Sequence, residues 1–217
     1  LHAIALLLFS VCQIQAAIVA DSVSDFSGVQ GQDNWFYGYY SGSLDPTSFS
    51  QMNVFDSPSR PNTWLVDENE FYTGIDSIGG HPNGAPSTRN DVVQFAVRRW
   101  IVESTGLFTI SGNLADLDLG FGDNGVVGRI YSGTTEIFSQ IIGAGDMAGV
   151  DYSWTGNLVA GTTVDFVIDP FQANDFFDST RFTATIQTNL SVIPEPTTLG
   201  LLCSGCIVAF YRNRRSR

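Results

Sequence analysis

The sequence predicts an all-β protein: an antiparallel β-sandwich of jelly-roll type, carrying an apolar segment at each end, the C-terminal one a short helix. Short stretches rich in Val, Ile, Thr and Phe recur along the middle of the chain, with many of its 22 Gly marking turns between them. No stretch sustains the apolar repeat of an amphipathic helix. With 43% apolar and 12% aromatic residues, the 217-residue chain has enough apolar material for one cored domain.

Taken in order, residues 3–11 (AIALLLFSV) are an apolar run, followed by the small residues Ala16, Ala17 and Ala20. That pattern is the apolar region and cleavage zone of a secretory signal peptide, too short to span a bilayer. The chain starts on Leu1 without a basic residue before the run, so the true start is expected upstream. The organisation read from sequence is a signal peptide at 1–20, a sandwich at 21–190 and a C-terminal signal at 191–217.

Within the middle, DNWFYGYYSGS (33–43) reads as an edge strand and loop. VVQFAVRRWIVE (92–103) is the strongest strand, dominated by β-branched and aromatic residues. In residues 106–119, Leu107, Thr109 and Ser111 alternate with Phe108 and Ile110, the period of a half-buried strand. GRIYSGTTEIFSQII (128–142) reads as a hairpin turning at Ser132-Gly133-Thr134. VDYSWTGNLV (150–159), TTVDFVIDP (162–170) and TRFTATIQT (180–188) supply three more strands. HPNG (81–84) and GDNG (122–125) are turns by their residue chemistry.

Charge excludes one class of partner. Lysine is absent, and residues 21–192 hold 17 Asp and 4 Glu against 6 Arg, a net charge of −15. No basic patch exists there to release counterions from phosphates, so nucleic acid is excluded. Cys12 lies in the leader and Cys203 and Cys206 in the C-terminal apolar run, so the sandwich has neither a disulfide nor a cysteine nucleophile.

No residue set identifies a reaction. His81 is the one histidine beyond His2, and in its Gly-rich setting it reads as a solvent-facing turn residue. Glu68 and Glu70 are the acid pair on which a glycan-active hydrolase would draw, but so acidic a chain forms such pairs by chance. The expectation is a protein that is not an enzyme and needs no cofactor beyond a structural Ca²⁺. DLDLGFGDNG gathers Asp116, Asp118 and Asp123 on a Gly-rich loop, and DPFQANDFFDSTRF gathers Asp169, Asn174, Asp175 and Asp178 on another. These acids cap turns and solvate loops, or one loop binds Ca²⁺, which takes several oxygen ligands. Among the aromatics, Trp35, Tyr37, Tyr39 and Trp64 are the candidates for stacking on sugar rings, although alternate members of a strand face the core.

Pro194-Glu195-Pro196, the apolar run 197–211, and Arg212, Arg214 and Arg215 resemble the PEP-CTERM sorting signal of exported Gram-negative bacterial proteins. The resemblance covers residues 191–217 alone. It implies an exosortase-type membrane protease-transpeptidase as partner, a transient hold in the inner membrane, and delivery to the cell surface or outside. The run is short for a permanent span and includes Gly200, Ser204 and Gly205, which favours a processed signal over an anchor. HPNG, VQFAVRRWIVESTGLFTISGNLADLD, GDNGVVGRIYSGTTEIFSQ and VDFVIDP with NDFFDSTRFTATI are similar to bacterial jelly-roll, carbohydrate-binding-like domains. That similarity implies the fold, while the sorting-signal class, often found in exopolysaccharide-producing bacteria, makes exopolysaccharide the expected partner. A glycan-active hydrolase and a structural matrix protein without a small ligand are the alternatives.

Overall fold

A computed structural model describes residues 15–68, 72–85 and 91–190. The described strands are β1 (Gln15–Asp21), β2 (Trp35–Ser41), β3 (Ser50–Gln51), β4 (Val54–Ser57), β5 (Arg60–Leu65), β6 (Gly74–Ile75), β7 (Gly79–His81), β8 (Gln94–Ile101), β9 (Gly106–Asp116), β10 (Val126–Ser132), β11 (Thr135–Ile142), β12 (Val150–Leu158), β13 (Thr163–Pro170), β14 (Thr180–Phe182) and β15 (Thr185–Leu190). Helical segments among the described residues are single 3-10 turns.

The strands form two sheets, and the molecule is an antiparallel β-sandwich. The smaller sheet runs β11-β10-β13-β8-β2-β3. In the larger one β9 is central, with β12 along one edge and β14 and β15 in succession along the other. From β14 that sheet continues through β7, β6 and β5 to β4, and β15 pairs onward to β1. Much of the pairing joins strands distant in sequence, as in β2 with β8 and β8 with β13.

Strand alternation builds the core. Trp35 and Tyr37 from β2, Ala96 and Trp100 from β8, and Phe166 and Ile168 from β13 meet Phe108, Ile110 and Leu114 from β9. Trp35 lies 6.0 Å from Phe166 and 6.5 Å from Trp100 between ring centroids, while Tyr37 stacks on Trp64 at 5.8 Å. Arg98 also points inward, and its guanidinium donates to the carbonyls of Asp76 (2.6 Å), Ser77 (3.2 Å) and Phe182 (3.4 Å) on the opposite side. Burial lowers its pKa.

The outer face of the smaller sheet is also covered. Tyr40, Phe95, Val97, Tyr131 and Val167 form a second apolar cluster, against which Leu44 and Phe49 pack. Asp165 accepts from Arg99 through Nε and Nη2, both at 2.7 Å, and from the Tyr40 hydroxyl. Beside it Arg129 donates to Asp169 and Glu136, each at 2.9 Å. Burial, and then hydrogen bonding to Glu136, push the Tyr131 hydroxyl up to about 12.

Two expectations need correction. The 33–43 segment is not an edge strand: β2 lies between β8 and the two-residue β3, with inward and outward aromatics both covered. Among the described residues β1 already runs from Gln15, and Ala20 belongs to the core. The stretch 180–188 is two strands, because the chain leaves the ladder at Thr183 and Ala184 before β15 resumes it. The C-terminal apolar run lies outside the described residues.

Candidate functional site

Register brings several loops to one end of the sandwich. Val126, the first residue of β10, pairs with Ile142 on one side and Pro170 on the other. In the larger sheet Asp116, the last residue of β9, pairs with Thr180, the first of β14. Loops 117–125, 143–149 and 171–179 therefore leave the two sheets together. Hydrogen bonds join them: Leu117 N donates to the Ser179 carbonyl (2.7 Å), and the Asn124 amide to that of Phe171 (2.7 Å). The Asn174 amide donates to the Gly122 carbonyl (2.9 Å). Residues 82–85 join the group where Ala85 N donates to the Ala173 carbonyl at 2.9 Å.

The backbone here is constrained. Gln172 (φ 58°), Ala173 (φ 59°) and Phe177 (φ 64°) all adopt the left-handed conformation, which costs a non-glycine residue about 1 kcal/mol or more. Phe177 is held by its ring packing on Gly120, where a Cβ would lie 2.2 Å from it. Gly125 combines φ +82° with a close approach to the Ile142 carbonyl, so it admits no side chain.

Carboxylates fill the interior of this loop cluster. Asp116 is buried and accepts from the backbone N–H of Asp118 through Oδ1 and of Gly145 through Oδ2, each at 3.0 Å. Asp118 Oδ2 accepts from Ser179 N at 3.1 Å, and Asp123 Oδ1 from Gly125 N at 2.7 Å. Asp178 is 0% exposed, and neither of its carboxylate oxygens has a partner. Asp123 Oδ2 and Asn124 Oδ1 are buried without partners as well. Burial first, then the charges of Asp123, Asp116, Asp175 and Asp118, push the Asp178 carboxyl up to about 9. Burial also raises Asp116, against its two N–H donors and with help from Asp123.

Around the acids stands an apolar rim. Phe121 is 101% exposed and Phe176 62%, with Leu119, Phe177 and Met147 also exposed nearby in the same loops. These side chains can offer flat apolar faces to a ligand. The acids beneath them can accept hydrogen bonds or hold a cation.

The predicted site residues fall elsewhere or play other parts. Trp35, Tyr37 and Trp64 are buried in the core, and Tyr39 is half-buried against it. The alternation that brings them together turns them inward, so those three offer no stacking face. Asp116, Asp118 and Asp123 do lie close to one another, but several of their oxygens are taken by backbone N–H groups. Among the described residues no three His, Cys, Asp or Glu side chains are gathered as a metal-ligand set. His81 is buried rather than solvent-facing, with Nδ1 at 2.6 Å from the Pro82 carbonyl. Glu68 is exposed; Glu70, Pro194, Glu195, Pro196, Arg212, Arg214 and Arg215 lie outside the described residues. Sequence reasoning missed Phe121, Phe176 and Asp178 as one cluster. Their signal was Phe set among Gly, Asn and Asp in GFGDNG and ANDFFDS, where no strand exists to bury it.

The fold and this loop cluster define an all-β sandwich with an acidic, aromatic-rimmed end. No protein-family model matches the chain, and no curated protein matches it. Among solved structures, it is similar to the CBM51-2 and INT domains of Clostridium perfringens ZmpB, solved with GlcNAc, at 9% identity and TM-score 0.34, over 52% of this chain and 26% of that one. The Stig cyclase Fisc from Fischerella sp. TAU matches at 10% identity and TM-score 0.36, over 82% of this chain and 100% of that one. A carbohydrate-binding module of Cellvibrio mixtus lichenase 5A, in complex with cellotriose, matches at 12% identity and TM-score 0.26, over 50% and 86%. This chain thus spans about a quarter of the Clostridium structure. At such TM-scores the likeness carries neither ligand nor activity.

Proposed function

We propose that the chain is an exported, non-catalytic protein of the cell envelope or extracellular matrix, and that the end of its sandwich carrying loops 117–125 and 171–179 binds polysaccharide. The observation that supports this most is the full exposure of the Phe121 ring, with Phe176 nearby. An apolar ring held in water by a constrained loop is poorly placed unless something covers it. Sugar rings present flat C–H faces that match an aromatic face, while their hydroxyls find acceptors in the surrounding carboxylates and loop carbonyls. The acidic surface opposes phosphate polymers and anionic lipid but leaves neutral polysaccharide free to approach. Export rests on the resemblance of Pro194-Glu195-Pro196 and the following Arg cluster to an exosortase sorting signal.

Affinity electrophoresis of the purified chain through gels of soluble polysaccharides, including that of the producing cell, tests the binding. Retardation is expected for at least one of them. The Phe121→Ala/Phe176→Ala variant should bind about tenfold more weakly or worse, with an unchanged Tm because both rings are exposed. Lack of retardation on any polysaccharide, or equal retardation of the variant, refutes the proposal.

A further inference from the structure

We propose that Asp178, Asp123 and Asn124 bind a Ca²⁺ ion that ties loop 117–125 to loop 171–179. Six buried side-chain N and O atoms lack a hydrogen-bond partner among the described residues, and four of them are here: both oxygens of Asp178, Oδ2 of Asp123 and Oδ1 of Asn124. All four are acceptors. Burying a polar atom without a partner is costly, so four in one place imply a missing donor or cation.

Among the described residues no such group stands against these oxygens. Lysine is absent from the chain, and the charges that act most on Asp178 are all negative. Arg181 is held by Asn113 (2.8 Å) and the Met147 carbonyl (2.7 Å), and Arg129 by Asp169 and Glu136. Protonating Asp178 removes a charge but not the geometric problem. A single O–H on Asp178 could satisfy at most one of the other orphaned acceptors and would leave the rest as they are.

The donor chemistry selects the ion. Carboxylate and amide oxygens suit a hard cation, and no cysteine stands among the described residues. Zinc favours nitrogen and sulfur, and the nearby His81 has Nδ1 engaged with the Pro82 carbonyl. Mg²⁺ demands a near-ideal octahedron, whereas Ca²⁺ accepts six to eight oxygens in irregular geometry. Main-chain carbonyls and water would complete the shell. The set holds two carboxylates and one amide, and among the described residues no third His, Cys, Asp or Glu joins it as a ligand group. This site stands apart from the polysaccharide reading, because it requires no glycan.

Thermal unfolding of the full chain tests it, in about 5 mM Ca²⁺ against EDTA, above the about 10⁻⁴–10⁻³ M affinities of extracellular Ca²⁺ modules. Ca²⁺ is expected to raise Tm by about 3–8 °C, and an equal concentration of Mg²⁺ by less. Asp178→Asn should fold, because it keeps the volume of the side chain and adds no charge, and should lose the Ca²⁺ response. Asp123→Asn should weaken Ca²⁺ binding at least tenfold by calorimetry, providing a second variant if Asp178→Asn does not fold. Equal Tm in Ca²⁺ and EDTA, an equal response to Mg²⁺, or a wild-type response in Asp178→Asn overturns the proposal.

Discussion

Replacing Asp165 by Asn removes one charge and almost no volume, so it isolates the electrostatic part of the outer-face network. Asp165 is wholly buried and accepts both arms of Arg99, at 2.7 Å each, as well as the Tyr40 hydroxyl. Arg99 is itself 15% exposed, rests 4.0 Å over the Phe49 ring and donates to the Pro46 carbonyl at 2.8 Å. The amide could accept one of the former bonds, but its NH₂ would face guanidinium or phenol donors. Burial, then the charge of Asp165, raise the Tyr40 pKa, so its hydroxyl remains a donor across the accessible range. Breaking a buried pair on one side costs about 3–5 kcal/mol. The residual exposure of Arg99 places the expected loss near the lower end, about 3 kcal/mol, or about 6–12 °C in Tm for a domain of this size. Urea unfolding followed by tryptophan fluorescence and far-UV circular dichroism gives the value directly. The Asp165→Leu/Arg99→Met double variant should lose much less than the two single changes combined, because it leaves no orphaned charge. A loss under about 1 kcal/mol in Asp165→Asn, or full additivity in the double variant, would refute the reasoning.

Gly125→Ala should destabilise the loop end by about 2–3 kcal/mol, since φ is +82° and its Cβ would sit 2.1 Å from the Ile142 carbonyl; a loss below about 0.5 kcal/mol in urea would contradict that geometry. The His81 pKa is lowered, chiefly by burial, against the Pro82 carbonyl and Asp175. The unfolded imidazole therefore takes up its proton near pH 6.5 while the folded one stays neutral, so His81 contributes stability that is lost as pH falls through that value. Asp178 acts with the opposite sign in EDTA: its folded carboxyl, at about 9, holds a proton that the unfolded one releases. The wild-type curve mixes the two, so the measurement is the difference between wild type and His81→Asn. That difference should narrow in favour of the variant between about pH 7.5 and pH 5, and a constant gap would rule out the buried, neutral histidine.

Strands were legible where one residue type decides them, and the site was not. β8, β9, β12 and β13 fall where β-branched and aromatic residues cluster, because a pleated surface favours those side chains whatever lies opposite. The Ser132-Gly133-Thr134 hairpin was likewise readable, since Gly133 at φ 58° satisfies a purely local demand. Exposure is not local. Trp35 and Phe121 are both aromatic and both next to turn-forming residues, yet the first is wholly buried and the second wholly exposed. What separates them is the partner strand: β8 pairs with β2 along its whole length and turns Trp35 onto Trp100 and Phe166, whereas no strand pairs with residues 117–125. The acids follow the same logic. Asp118 and Asp178 are 60 residues apart, and only the pairing of Asp116 with Thr180 makes their loops neighbours. A search for ligand spacing within one loop, as in an EF-hand, could not find the whole of that set. Long-range register decides which acids share an interior and which aromatics are left outside it. In a sandwich assembled from distant strands, sites at the sheet ends therefore become readable only once the pairing is known.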